Sequence, residues 1–100
     1  MGRLSDKVAL ITGAGSGIGE AVARRFAAEG AAVVLTGRRS GELERVASGI
    51  CESGGRAEPI ACDVRKPEDC ARAAAHAEQQ FGRLDILVNN AGIAGVSAFD

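Results

Sequence analysis

Short apolar runs alternate along this chain with longer segments whose apolar residues recur every three or four positions. Val8 to Thr12 is a short apolar run, as expected of a parallel strand covered on both faces. From Gly17 to Glu29, Ile18, Val22 and Phe26 fall at i, i+4 and i+8, one stripe of a helix, with Glu20, Arg24, Arg25 and Glu29 mostly off it. Gly30 supplies the stop. Ala31 to Thr36 reads as a second strand. Ser40 is placed to cap the next helix, Glu42 favours its first turn, and Leu43, Val46, Ala47 and Ile50 repeat at helical spacing until Gly54-Gly55. Ala57 to Cys62 is a third strand, which Pro59 marks as irregular or at an edge. Pro67 starts a third helix, poorly capped by Lys66, with Cys70, Ala74, Ala77 and Phe81 as its buried stripe and Gly82 as its end. Leu84 to Val88 is the fourth strand and runs into Asn89-Asn90-Ala91-Gly92. The order βαβαβαβ predicts a doubly wound parallel α/β sheet with right-handed crossovers and strands in the spatial order 3-2-1-4.

Composition narrows the class. One hundred residues make one small domain at most. Twelve basic and 13 acidic residues give a net charge of -1, which leaves no basic face for nucleic acid. The chain is 46% hydrophobic but only 3% aromatic, a balance that disfavours disorder and fits an α/β core in which small residues let helices lie close to the sheet. Cys51, Cys62 and Cys70 are odd in number and lack CxxC spacing, so they read as reduced thiols with no metal site. No stretch approaches the ~20 apolar residues of a membrane span. Met1 to Lys7 lacks the apolar core of a secretory signal, and Asp6 stands where a myristoylation motif needs Ser or Thr. These features predict a soluble, cytoplasmic protein.

The candidate chemistry lies in Thr12-Gly13-Ala14-Gly15-Ser16-Gly17-Ile18-Gly19, directly behind the first strand and opening the first helix. Such a turn presents backbone N–H groups and the positive end of a helix dipole to a pyrophosphate. The spacing is Thr-Gly-x-x-x-Gly-x-Gly. It is neither GxGxxG, because position 18 is Ile18, nor a P-loop, because no Gly-Lys-Ser/Thr follows. In this reading Gly13 turns the chain off the strand, Gly17 leaves room for the phosphates, and Gly19 lets the helix pack on the sheet.

Three separated pieces, TGAGSGIG at 12–19, Asp63-Val64 after the third strand and NNAG at 89–92, together resemble the short-chain dehydrogenase/reductase family, over essentially the whole chain. The resemblance implies the N-terminal part of a single Rossmann-like NAD(P)-binding domain, incomplete within residues 1–100. It implies that Gly13, Gly15, Ser16, Gly17, Ile18 and Gly19 cradle the cofactor pyrophosphate. Asp63 would accept a hydrogen bond from the adenine amino group and Val64 would pack on the ring. Asn90, Ala91 and Gly92 would lie beside the adenosine ribose, and Asn89 would help tie the sheet together. The implied activity is hydride transfer between an alcohol or carbonyl substrate and a nicotinamide dinucleotide, in an assembly that in this family is usually a dimer or tetramer.

Charge at the end of the second strand bears on the cofactor. NAD-selective dinucleotide folds place Asp or Glu about 20 residues beyond the glycine turn. Here the sequence is Thr36-Gly37-Arg38-Arg39, with Gly37 at that position. Arg38 is suited to a 2′-phosphate through two parallel charge-assisted hydrogen bonds, so NADP(H) is favoured over the alternative NAD(H). Ser16 departs from members that carry a basic residue before the second motif glycine. Arg39 and His76 read as solvated, His76 without a partner, and Cys62 as a small buried apolar residue.

In the resembled family proton transfer requires a Tyr, assisted by a Lys four residues later and by a Ser and an Asn. This chain has no tyrosine, and Lys7 and Lys66 stand outside any such motif. No catalytic residue is therefore assigned, and the 100 residues alone are expected to be inactive. The alternative is a non-catalytic, truncated nucleotide-binding module. Left by itself, the fourth strand is an apolar edge, and the 100-residue chain is expected to be marginally stable or prone to association.

Overall fold

The computed structural model describes residues 3–15, 17–63 and 65–89. The elements are β1 (Val8–Thr12), α1 (Gly17–Ala28), β2 (Ala32–Gly37), α2 (Ser40–Glu52), β3 (Arg56–Ala61), α3 (Pro67–Phe81) and β4 (Ile86–Val88). All strand pairs are parallel, in the order β3-β2-β1-β4. β1 and β2 lie at the centre. Leu10 is in register with Val34 on one side and Leu87 on the other.

The unbroken apolar runs are explained by the two faces they must fill. Ala9, Ile11, Val33 and Leu35 pack with Ala23 of α1 and with Leu43, Val46 and Ile50 of α2. Val8, Leu10, Ala32 and Val34 face the other way, against Ala73 and Ala77 of α3. Alternate residues of each strand thus enter opposite cores, and neither face of β1 or β2 is left wet. Of the two buried threonines at the ends of β1 and β2, Thr12 and Thr36, the latter is satisfied because its hydroxyl donates to the Ile11 carbonyl at 3.1 Å.

Three local expectations are corrected. The buried positions of α1 are Gly19 and Ala23, whereas Ile18 is 69% exposed and Val22 and Phe26 only flank the core. In α3 the buried positions are Ala73 and Ala77, with Cys70, Ala74 and Phe81 half-buried. In both helices the smallest residues face the sheet, because there the helix backbone approaches closely and a large side chain has no room. Ser40 is the first residue of α2 rather than its cap. Arg39 holds the cap position, with no side-chain cap hydrogen bond.

β3 is an edge strand, with Pro59 opposite Leu35. At the opposite edge, β4 pairs with β1 alone among the described residues, and Leu87 is 60% exposed. Asp85 fixes this register. Its Oδ2 accepts the Val8 N–H at 2.8 Å, its own N–H donates to the Val8 carbonyl at 2.9 Å, and Arg83 grips the same carboxylate.

Candidate functional site

The connection between β1 and α1 uses its glycines differently. Gly13 has φ of 64° and Gly17 φ of 60°, the left-handed region where a side chain is disfavoured. Between them, Ala14 donates its N–H to the Thr36 carbonyl at 3.1 Å, which fastens the turn to the end of β2. Gly15 lies against α2, where a Cβ would come within 3.0 Å of the Glu42 Cβ. Around Gly17 the situation is reversed, since no described residue lies within 4 Å of where its Cβ would stand. Gly19 is buried as α1 begins.

Beside this turn lies a cleft of about 610 Å³. Gly13 and Gly15 line it from the turn, Gly37, Arg38 and Arg39 from the end of β2, Glu42 and Leu43 from α2, and Cys62, Asp63 and Arg65 from the segment after β3. It therefore opens at the carboxyl ends of three adjacent parallel strands, the place where open α/β sheets hold ligands. Of the residues singled out in the sequence, the fold brings Gly13, Gly15, Arg38 and Asp63 to one cleft, with Gly17, Ile18 and Gly19 at the N-terminus of α1. Ser16, Val64, Asn90, Ala91 and Gly92 lie outside the described residues. At the end of β1, the Thr12 hydroxyl is 3.3 Å from both the Val88 carbonyl and Asn89 Oδ1, which links Asn89 to the central strand.

Asp63 is held as a carboxylate. Its Oδ1 accepts the Arg65 backbone N–H and Nε, each at 3.0 Å, and its Oδ2 accepts Nη2 at 2.9 Å. The Arg65 side chain first, then its backbone N–H, keep Asp63 far below the usual carboxylate range, with a smaller contribution from the charge of Arg38. A carboxylate has about four lone-pair positions, so these three bonds leave room for one more donor. Asp63 also donates its N–H to Asp69 Oδ2 at 2.9 Å, which fixes the chain as it leaves the sheet. Cys62 next to it is buried, and burial pushes its thiol up, so it serves as a small neutral packing residue.

The charges around the cleft do not cancel locally. Arg65 is taken by Asp63, and Glu42 by Arg45 at 3.0 Å. Arg38 and Arg39 form no ion pair among the described residues, so positive charge is left at the end of β2. Arg39 is exposed, as its sequence context predicts, yet it lines the cleft, and Arg65 joins it there. The available signal for Arg65 was its place two residues after Asp63 in a tight exit from a strand. His76 is corrected too: its Nε2 is 3.3 Å from Glu58 Oε2, a contact between α3 and β3 that has no part in the cleft.

These carboxylates give an acid limb to stability. Asp63, Asp69 and Asp85 are each held below their ordinary pKa, mainly by Arg65, by the Asp63 N–H and by Arg83 respectively. A carboxyl depressed in the folded state stabilises it above the unfolded pKa of about 3.9, and that stabilisation is lost as pH falls toward the folded value. Denaturant unfolding of the whole protein is expected to show stability falling progressively below about pH 4. Asp85→Asn should make that limb shallower, and an unchanged limb would contradict the assignment of Asp85.

Residues 7–100 match the family model for short chain dehydrogenases. The chain belongs to that family. Among curated relatives, the oxidoreductase UcpA of Escherichia coli (strain K12) is 46% identical over 99 residues, which is 99% of this chain and 37% of UcpA. The 3beta-hydroxysteroid dehydrogenase of Mediterraneibacter gnavus is 45% identical over 97 residues, covering 97% of this chain and 35% of that protein. A crystal structure of a metagenomic short-chain oxidoreductase in complex with NADP superposes with a TM-score of 0.84 at 46% identity, over 90% of this chain and 41% of that one. The chain thus spans little more than a third of these relatives' length. The chain has the Rossmann fold of this family, with the cleft at the strand ends. No helix among the described residues is long and apolar enough to cross a membrane.

Proposed function

We propose that the whole protein is a nicotinamide-dinucleotide-dependent oxidoreductase that interconverts an alcohol and a carbonyl, and that residues 1–100 form the N-terminal part of its single cofactor-binding domain. One observation carries this reading. A cleft at the carboxyl ends of β1, β2 and β3 joins a glycine turn at a helix N-terminus, an ionised and fixed Asp63, and two arginines that form no ion pair among the described residues. The residues suit a dinucleotide in three places. The open space over Gly17 would let phosphates approach the start of α1, Arg38 lines the cleft at the end of β2 and would pair a 2′-phosphate, and Asp63 has a lone pair left for an adenine amino group. Val64 would pack on the adenine, and Asn90, Ala91 and Gly92 would border the ribose.

When bound, the nicotinamide accepts or delivers the hydride, and these residues contribute affinity and orientation. Proton transfer falls to residues outside this stretch, which contains no tyrosine. The purified 100-residue chain is accordingly expected to show no turnover of NADPH above background.

NADP(H) is the favoured cofactor, supported by Gly37 in place of a carboxylate and by the charge of Arg38 and Arg39, which form no ion pair among the described residues. Titration calorimetry of the whole protein is expected to show tighter binding of NADPH than of NADH. Arg38→Asp should shift the preference toward NADH by about tenfold to a hundredfold, the loss of a charge-assisted contact. An unchanged preference removes Arg38 from the site. No binding of either nucleotide by the unmodified protein removes the proposal.

A further inference from the structure

The glycine turn is held from outside the cleft by a residue that does not line it. Arg45, in the second turn of α2, reaches across to α1 and to the turn. Its Nη2 donates to the Gly15 carbonyl at 3.1 Å, to Glu20 Oε1 at 3.1 Å and to Glu42 Oε1 at 3.0 Å. Nε lies 3.3 Å from Glu42 Oε1, and Nη1 lies 3.4 Å from Glu20 Oε2. Glu20 is held in turn by Arg24 at 3.0 Å. The guanidinium is thus gripped by one carboxylate from each helix and delivers a donor to the backbone of the turn between them.

We infer that Arg45 is a positioning residue for dinucleotide binding, which keeps the Gly15 carbonyl turned out of the cleft so that the turn presents donors rather than an acceptor to the pyrophosphate. The inference rests on the dinucleotide reading of the cleft. Its physical basis is the polarity of the turn. Gly15 borders the cleft, and a carbonyl oxygen facing an anion repels it. Two polar groups of the turn are committed to the scaffold, the Ala14 N–H to Thr36 and the Gly15 carbonyl to Arg45. The missing side chain at Gly15 brings the turn against Glu42, within reach of Arg45. Arg45 is half-exposed, with 51% of its side chain accessible. Ion pairs this exposed add little to global stability, so the consequence of the contact is read in affinity rather than in melting temperature.

The test compares two ligands on the whole protein: NADPH, which carries the pyrophosphate, and adenosine 2′-monophosphate, which lacks it. Arg45→Met is expected to weaken NADPH binding about tenfold, the scale of one charge-assisted hydrogen bond, while the affinity for adenosine 2′-monophosphate stays within about twofold. Arg45→Lys, with one ammonium in place of the forked guanidinium, should recover part of the NADPH affinity. Equal NADPH binding by Arg45→Met and the unmodified protein overturns the inference alone. Parallel weakening of both ligands, or loss of folded protein, assigns Arg45 to the fold and also overturns it. If the unmodified protein binds neither NADPH nor NADH, the functional reading itself fails.

Discussion

Gly17→Ala is expected to abolish measurable dinucleotide binding by the whole protein while its melting temperature falls only a few degrees. The backbone at Gly17 has φ of 60°, which costs a residue with a Cβ about 1–2 kcal/mol. Among the described residues no atom lies within 4 Å of the new methyl, and none of them adds a clash to that cost. The methyl instead fills the space through which phosphates would reach the start of α1. Gly15→Ala should act mainly on stability, with a smaller loss of binding through the displaced contact of Arg45 with the Gly15 carbonyl. There the new Cβ lies 3.0 Å from the Glu42 Cβ, and α2 must shift to admit it, an overpacking cost of about 1–3 kcal/mol. The pair separates a glycine needed for ligand access from one needed for packing. Calorimetric titration and thermal melts of both variants measure the difference, and tight binding by Gly17→Ala would remove the pyrophosphate from this turn.

Leu35→Ala is expected to destabilise the whole protein by about 2–5 kcal/mol, a large folding effect for one truncation. Leu35 is fully buried in the middle of β2 and belongs to the core shared with Leu43, Val46 and Ile50 of α2. β2 is flanked on both sides by β1 and β3, so its backbone cannot move in to close the cavity. In a protein of 150–250 residues each kcal/mol lowers the melting temperature by about 2–4 °C. Leu35→Met, which keeps the volume, should cost less than about 1.5 kcal/mol. If both substitutions melt alike, the site is less tightly packed than its burial implies.

The arrangement of elements was legible because two periodicities rarely conflict in this chain. Leu43, Val46, Ala47 and Ile50 carry a helical repeat, and all four are buried. Val8 to Ile11 and Ala32 to Leu35 have no polar member, and both faces of those strands are covered. Pro59 predicts an irregular or edge strand, and β3 lies at an edge of the described sheet, where a residue with no N–H to donate is tolerated. Periodicity misjudged the inner face of α1. It ranks side chains by apolar bulk and so chose Ile18, whereas close approach to the sheet selects Gly19 and Ala23. His76 was read as partnerless because Glu58, 18 residues away, is brought to it only when α3 packs beside β3.

By itself the sequence determined the element order, the parallel sheet and the glycine turn at the head of α1. Those follow from local repeats and from residues whose backbone preferences act within a few positions. The tertiary structure alone decided the charge state and environment of the cleft. Arg65 folds back on Asp63, Arg39 joins Arg38 on the wall, and Arg45 crosses 30 residues of chain to hold the Gly15 carbonyl. Such contacts depend on distances between elements that no local pattern encodes. Electrostatic and hydrogen-bond energies change steeply over those few ångströms.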